Sequence, residues 1–137
     1  MARRYLFSVL AVWVFIFAFE TLVHGLGLSG MYAAENTLFR APEDGVALMP
    51  VLIIGHFALA VGIVGLVCGF ARAGTISRAA QIGAFLGLTI GGGSALLTYV
   101  AQPLPVNLVM AWCVAGVIEF AAAAALARIV FGDRFQS

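Results

Sequence analysis

The stretch PVLIIGHFALAVGIVGLVCGFA, Pro50 to Ala71, runs for twenty-two residues without an Asp, Glu, Lys or Arg. About 20 consecutive apolar residues let a helix cross the hydrocarbon core of a bilayer. Three further predominantly apolar stretches of that length flank it, each with one or two charged residues: Tyr5–Leu28, Ile76–Ala101 and Val106–Val130. Helix breakers lie between them. Ser29-Gly30 and the run from Arg40 to Gly45 bracket the first connection, Arg72-Ala73-Gly74-Thr75 makes the second and Gln102-Pro103-Leu104-Pro105 the third. Proline cannot continue a helix interior, and it suits a first turn, where Pro50 stands. Ser77 is placed to cap the third span. The first stretch has a basic start, but its apolar run is too long for a signal peptide and no A-x-A site follows, so it reads as a retained span.

The rest of the chain agrees. Of 137 residues, 64% are hydrophobic and 9% charged, against about half and about a quarter in soluble domains. The mean hydropathy is +1.11. The net charge is +1 and every basic residue is arginine. Nothing basic is left over to neutralise phosphates, so nucleic acid is excluded as a partner. The lipid bilayer is the implied surrounding.

The prediction is therefore an all-α integral membrane protein, residues 1–137 forming one antiparallel four-helix bundle. In a four-span arrangement Arg3, Arg4, Arg72, Arg78, Arg128 and Arg134 fall on one side and Arg40 on the other. The positive-inside rule then puts both termini in the cytoplasm. A multi-pass protein of the bacterial inner membrane is the expected setting. The connection 29–49 faces outward, and Met31–Arg40 is predicted to form a short helix lying in the interface.

Lipid gives helices no hydrophobic reason to associate, so small residues and polar groups must bring them together. The second span carries Gly55, Gly62 and Gly69 at seven-residue spacing. The third carries Gly83, Gly87 and Gly91 at four. Each makes a smooth stripe, suited to packing within the bundle or to a homo-oligomer interface. Cys68 and Cys113 lie inside apolar runs at no metal-ligand spacing and read as small buried hydrophobes.

Ionisable groups inside a span are costly and mark functional candidates. There are four: Glu20, His24, His56 and Glu119. Glu20 and His24, four residues apart, share a helix face. With His56 they fall at one depth, near the outer ends of neighbouring helices. Ser94, Thr98 and Gln102 continue the Gly83–Gly87–Gly91 face at that depth, with Tyr99 and Asn107 close by. The expected pocket is Glu20, His24 and His56 lined by Thr98, Tyr99 and Gln102. It reads in three ways: a transition-metal or haem site, a buried polar network that sets helix register, or a substrate and proton pocket. Glu119 counts as separate, nearer the cytoplasmic half on the face of Trp112 and Ala115. It is either a stop on a proton path or a hydrogen-bonding partner of a helix backbone. No serine or threonine stands in a nucleophile motif, and no catalytic residue is expected.

Several phrases occur together: Phe19-Glu20-Thr21-Leu22-Val23-His24-Gly25, Met31-Tyr32, Leu38-Phe39-Arg40-Ala41-Pro42, Leu48-Met49-Pro50, and Tyr99 with Gln102-Pro103. In these the chain resembles a family of small four-span bacterial membrane proteins carrying a domain of unknown function. The resemblance implies a four-helix membrane fold and brings no activity or ligand. It rests on Glu20, His24, Arg40 and Pro42. Three functions follow as expectations. The leading one is an accessory or structural subunit of a membrane complex, or a homo-oligomer. The alternatives are a metal- or haem-binding protein and a small proton-linked transporter.

Overall fold

A computed structural model describes residues 2–35, 37–40 and 42–132, leaving aside the side chains of Pro42 and Glu43. Ala41 and Arg134, both named above, lie outside the described residues. All regular structure among those described is helical: α1 Ala2–Gly27, α2 Ser29–Ala34, α3 Pro42–Ala47, α4 Met49–Phe70, α5 Ile76–Ala101 and α6 Val106–Phe131. Four of these, α1, α4, α5 and α6, are long and apolar enough to cross a membrane.

The boundaries follow local chemistry. Pro50 sits in the first turn of α4, where its missing amide leaves no bond unmade. Gln102 turns extended (φ −134°, ψ 142°) and ends α5 ahead of the two prolines. Pro105 holds an extended ψ of 137° just before α6. The cap of α5 is Thr75 and not Ser77. Its Oγ1 accepts from the Arg78 amide at 3.1 Å, while Ser77 stands inside the first turn. At the far end of α6 the chain leaves through Gly132 at φ +81°, a left-handed conformation that glycine adopts freely.

Three stretches wind as π-turns: Thr21–Gly27 in α1, Gly65–Phe70 in α4 and Gly87–Gly92 in α5. Each contains glycine. A π-turn adds a residue to the turn and re-aims the side chains beyond it. The first and third lie beside the polar cavity described below.

The glycines of α5 behave as packing residues. A Cβ on Gly83 would fall 2.6 Å from Ala124 Cβ and into the Phe120 carbonyl. One on Gly87 would fall 2.8 Å from Val117 Cα and into the Gly116 carbonyl. Residues four apart on α5 thus meet residues four apart in reverse on α6, so the two helices run oppositely with their backbones almost touching. The α4 stripe does otherwise. A Cβ on Gly55, Gly62 or Gly69 would meet nothing within 4 Å, and all three lie exposed. The expectation that this stripe packs on a neighbour within the bundle is corrected. The reason lies in the other face of α4, where Ala60, Ile63, Val64 and Val67 fill the core with Val9, Val12 and Ile16 of α1 and Ala123, Ala124 and Ala127 of α6.

Below this core Arg128 is buried. Its Nε donates to Ala73 O at 2.8 Å and its Nη2 to Gly74 O at 2.9 Å, clamping the α4–α5 connection onto α6. Ala73 is itself buried, so its carbonyl has little access to another donor. Arg128→Met is expected to lower stability by about 2–4 kcal/mol, the loss of charged hydrogen bonds to carbonyls left unsatisfied. Thermal unfolding in mild detergent measures it, and an unshifted midpoint would contradict the clamp.

The predicted interface helix over Met31–Arg40 is also corrected. Helix α2 covers Ser29–Ala34, and Glu35 at φ −113° ends it. Met31, Tyr32, Leu38 and Phe39 fold back onto Ala95, Leu104, Leu108 and Val109 at the ends of α5 and α6. The apolar side chains that would have faced lipid cover the end of the bundle instead.

Candidate functional site

All four long helices contribute to a cavity of about 350 Å³. From α1 come Glu20 and His24, from α4 His56 and Leu59, from α5 Gly91, Ser94, Ala95 and Thr98. Helix α6 adds Trp112, Ala115, Gly116, Glu119 and Phe120. A second space of about 300 Å³, lined by Phe17, Glu20, Thr21, His24, Gly25, Leu52 and His56, lies between α1 and α4. Glu20, His24 and His56 line both, so they form the partition between the inner cavity and a cleft between two helices.

The structure brings together Glu20, His24, His56 and Thr98 from the expected pocket. It does not bring Tyr99 or Gln102: Tyr99 is 44% exposed, and Gln102 is exposed where the chain leaves α5. Neither lines the cavity. Tyr99 stands about 100° around the helix from Thr98, and the chain turns away from α5 at Gln102. Asn107 instead lines an apolar groove between α1 and α6 with Phe19, Val23 and Met110.

Glu119 is not separate. It is 3% exposed, and it lines the same cavity as Glu20. Counting residues along each helix placed the two at different depths because it took the helix ends as level and ignored side-chain reach. Both nevertheless line one cavity. Two carboxyl groups in one cavity are eased by a proton or by a cation, since bare charges repel.

A hydrogen-bonded chain leads from this pair towards the bundle end. Glu20 Oε2 lies 3.1 Å from His24 Nε2. His24 Nδ1 bonds the Tyr32 hydroxyl, and Trp112 Nε1 donates to the same hydroxyl at 2.7 Å. Indole N–H only donates. Every group is satisfied when Tyr32 O–H donates to Nδ1 and His24 Nε2–H donates to Glu20. Tyr32 and His24 stack at 5.9 Å and 28°, and Phe39 meets Tyr32 edge-on at 5.0 Å. Sequence reading did not include Tyr32 and Trp112 among the site residues. The available signal was two aromatic residues with hydrogen-bonding tips in otherwise apolar surroundings.

This wiring bears on the metal and haem expectation. Both ring nitrogens of His24 are engaged. Among the described residues no three His, Cys, Asp or Glu side chains gather as a set able to hold a metal ion. His56, the third residue of the expected Glu20, His24 and His56 set, lines the cavity with its Nδ1 buried and unpartnered, edge-on to Phe17 at 5.9 Å.

Burial pushes the Tyr32 phenol above its ordinary value of 10.0; the Trp112 hydrogen bond opposes this and the Glu20 charge adds to it. The folded chain therefore holds this proton longer than the unfolded chain. The associated stability is complete below the ordinary tyrosine value and is lost as pH rises through the higher folded value. Tyr32→Phe is expected to flatten the alkaline fall in unfolding temperature. An alkaline limb identical to that of the parent protein would contradict the assignment.

No family model, curated protein or solved structure matches the chain.

Proposed function

We propose that this protein is a small carrier of the bacterial inner membrane that exchanges a cation for a proton at the Glu20–Glu119 pair. One observation carries the reading: two glutamates from different spans line one cavity that all four spans form, and one of them, Glu119, is buried with an unpartnered Oε1. A carboxyl pair alternates between holding a proton and holding a cation, which is the elementary step of coupled exchange. The Tyr32–His24–Glu20 chain supplies a route for the proton, and the α1–α4 cleft supplies a route for the cation. Both termini are taken as cytoplasmic. Arg4 Nη1 donates to Phe131 O at 3.4 Å, and Arg128 holds the connection after α4, so the arginine-rich ends lie together. The positive-inside rule assigns that end to the cytoplasm, and the Tyr32 end faces out.

The test uses proteoliposomes with a pH-sensitive dye sealed inside. Sodium, potassium, tetramethylammonium and methylguanidinium are added outside in turn. The expected result is alkalinisation of the interior by at least one of them, above the rate in protein-free liposomes. No response to any would overturn the reading.

A second reading, an accessory subunit or homo-oligomer, draws on the exposed Gly55, Gly62 and Gly69 stripe. Cross-linking in native membranes addresses it: a ladder lost in Gly62→Leu supports it, and a lone monomer opposes it.

A further inference from the structure

The donors and acceptors of the cavity can be counted one by one, and the count describes what the cavity is built to hold. Ser94 Oγ donates its proton to Gly91 O at 2.9 Å, and Thr98 Oγ1 donates to Ser94 O at 2.8 Å. Both hydroxyl protons are spent on the backbone of their own helix. What each hydroxyl still offers is lone pairs. Trp112 has spent its N–H on Tyr32, and His24 has spent Nε2–H on Glu20. Glu119 lines the cavity 97% buried with an Oε1 that has no hydrogen-bond partner. His56, with Nδ1 likewise unpartnered, has one donor and one acceptor to give as a neutral ring. The free valences are therefore mostly acceptors, and two of the groups are carboxyls.

An anion finds almost no donor here, and a neutral acceptor gains nothing. A multivalent metal lacks its ligand set among the described residues. A cation with several N–H groups satisfies the inventory: it neutralises the carboxyl pair and donates to Glu119 Oε1 and to the free lone pairs of Ser94 and Thr98. Trp112 and Phe120 complete the wall with ring surface, which attracts a cation electrostatically. At about 350 Å³ the cavity lies at the small end of ligand pockets. Resting on the exchange reading above, we propose that the ligand is a small organic cation bearing N–H donors, a guanidinium or primary ammonium group seated between Glu20 and Glu119 beside Trp112.

Trp112 makes the proposal measurable without transport. The other tryptophan, Trp13, lies outside the cavity, edge-on to Phe57. Trp13→Phe leaves Trp112 as the sole indole. The purified full chain in mild detergent is titrated with methylguanidinium, ethylammonium, tetramethylammonium and sodium chlorides at constant ionic strength. The expected result is a saturable change in Trp112 emission with the first two. Glu119→Gln is expected to weaken it at least tenfold. Thr98→Val, which removes a lone-pair acceptor at a position that tolerates an isosteric side chain, is expected to weaken it several-fold. It keeps the test open where Glu119→Gln does not fold. A response that does not saturate, or one equal for tetramethylammonium and methylguanidinium, would overturn the proposal. So would methylguanidinium affinity unchanged in Glu119→Gln or in Thr98→Val. Saturable methylguanidinium binding with no proton movement in proteoliposomes would leave the ligand class standing and remove the proton link. Exchange driven by sodium alone, with no binding of methylguanidinium, would do the reverse.

Discussion

Glu119→Gln is expected to reduce cation-driven proton movement in proteoliposomes to the protein-free rate. The substitution keeps the shape of the side chain and its place in the cavity wall. It removes the ability to give up a proton and become an anion. With one ionisable carboxyl left, the pair cannot alternate between a shared proton and a bound cation. Stability is expected to move in the other direction or not at all, because a buried carboxyl next to another is expensive to hold. The combination is the diagnostic: transport gone, unfolding temperature kept or raised. A variant that transports normally would assign Glu119 to structure. Glu20→Gln is expected to be inactive as well, and it also weakens the acceptor of His24 Nε2, so its stability is expected to fall relative to Glu119→Gln.

Gly83→Ala is expected to cost about 3 kcal/mol, the upper part of the range for forcing extra volume into a packed interior. The new methyl meets Ala124 Cβ at 2.6 Å and the Phe120 carbonyl. Backbone cannot swing aside as a flexible side chain does, so α5 and α6 must separate along their contact. Gly87→Ala meets Val117 Cα at 2.8 Å and is expected to behave alike. Gly62→Ala is the control. Nothing lies within 4 Å of its added carbon, and alanine gains up to about 1 kcal/mol over glycine in a helix interior. Denaturation of the three variants in mixed detergent micelles measures the series. Equal stabilities would mean that the α5 glycines are not what holds the spans together.

These two experiments meet at one place in the fold. The close approach at Gly83 and Gly87 sets the distance between α5 and α6. Beyond Gly91 the helices carry Ser94 and Thr98 on one side and Trp112 and Ala115 on the other, while Glu119 lines the same cavity from the level of the glycine contact. Small residues bring the helices together at one level, and polar residues line the space that opens at the next. Loss of the glycine contact is therefore expected to disturb the cavity as well as stability.

The helical spans were legible because each is a local property. A run of apolar residues as long as Pro50–Ala71 has to satisfy its backbone within itself wherever lipid surrounds it, and a helix does so. Gln102-Pro103 stops a helix regardless of what lies nearby. The four costly groups, Glu20, His24, His56 and Glu119, were conspicuous for a similarly local reason: each stands inside an apolar run. Which glycine stripe would be used was not local. Gly83 and Gly55 look alike in sequence, and only the partner face tells them apart. The Ala-rich α6 offers Ala124 and the Phe120 backbone to Gly83, while at Gly55 the opposite face of α4 claims the core. The sharing of one cavity by Glu119 and Glu20, the fold-back of Tyr32 onto Trp112 and the departure of Tyr99 and Gln102 likewise depend on helix rotation and on where the connections land. Sequence by itself determined four membrane-length helices, their ends and a small set of buried ionisable groups, because hydrophobicity and backbone hydrogen bonding act within each segment. Only the tertiary structure decided which of those groups face one another, because that depends on rotations and contacts between segments far apart in the chain.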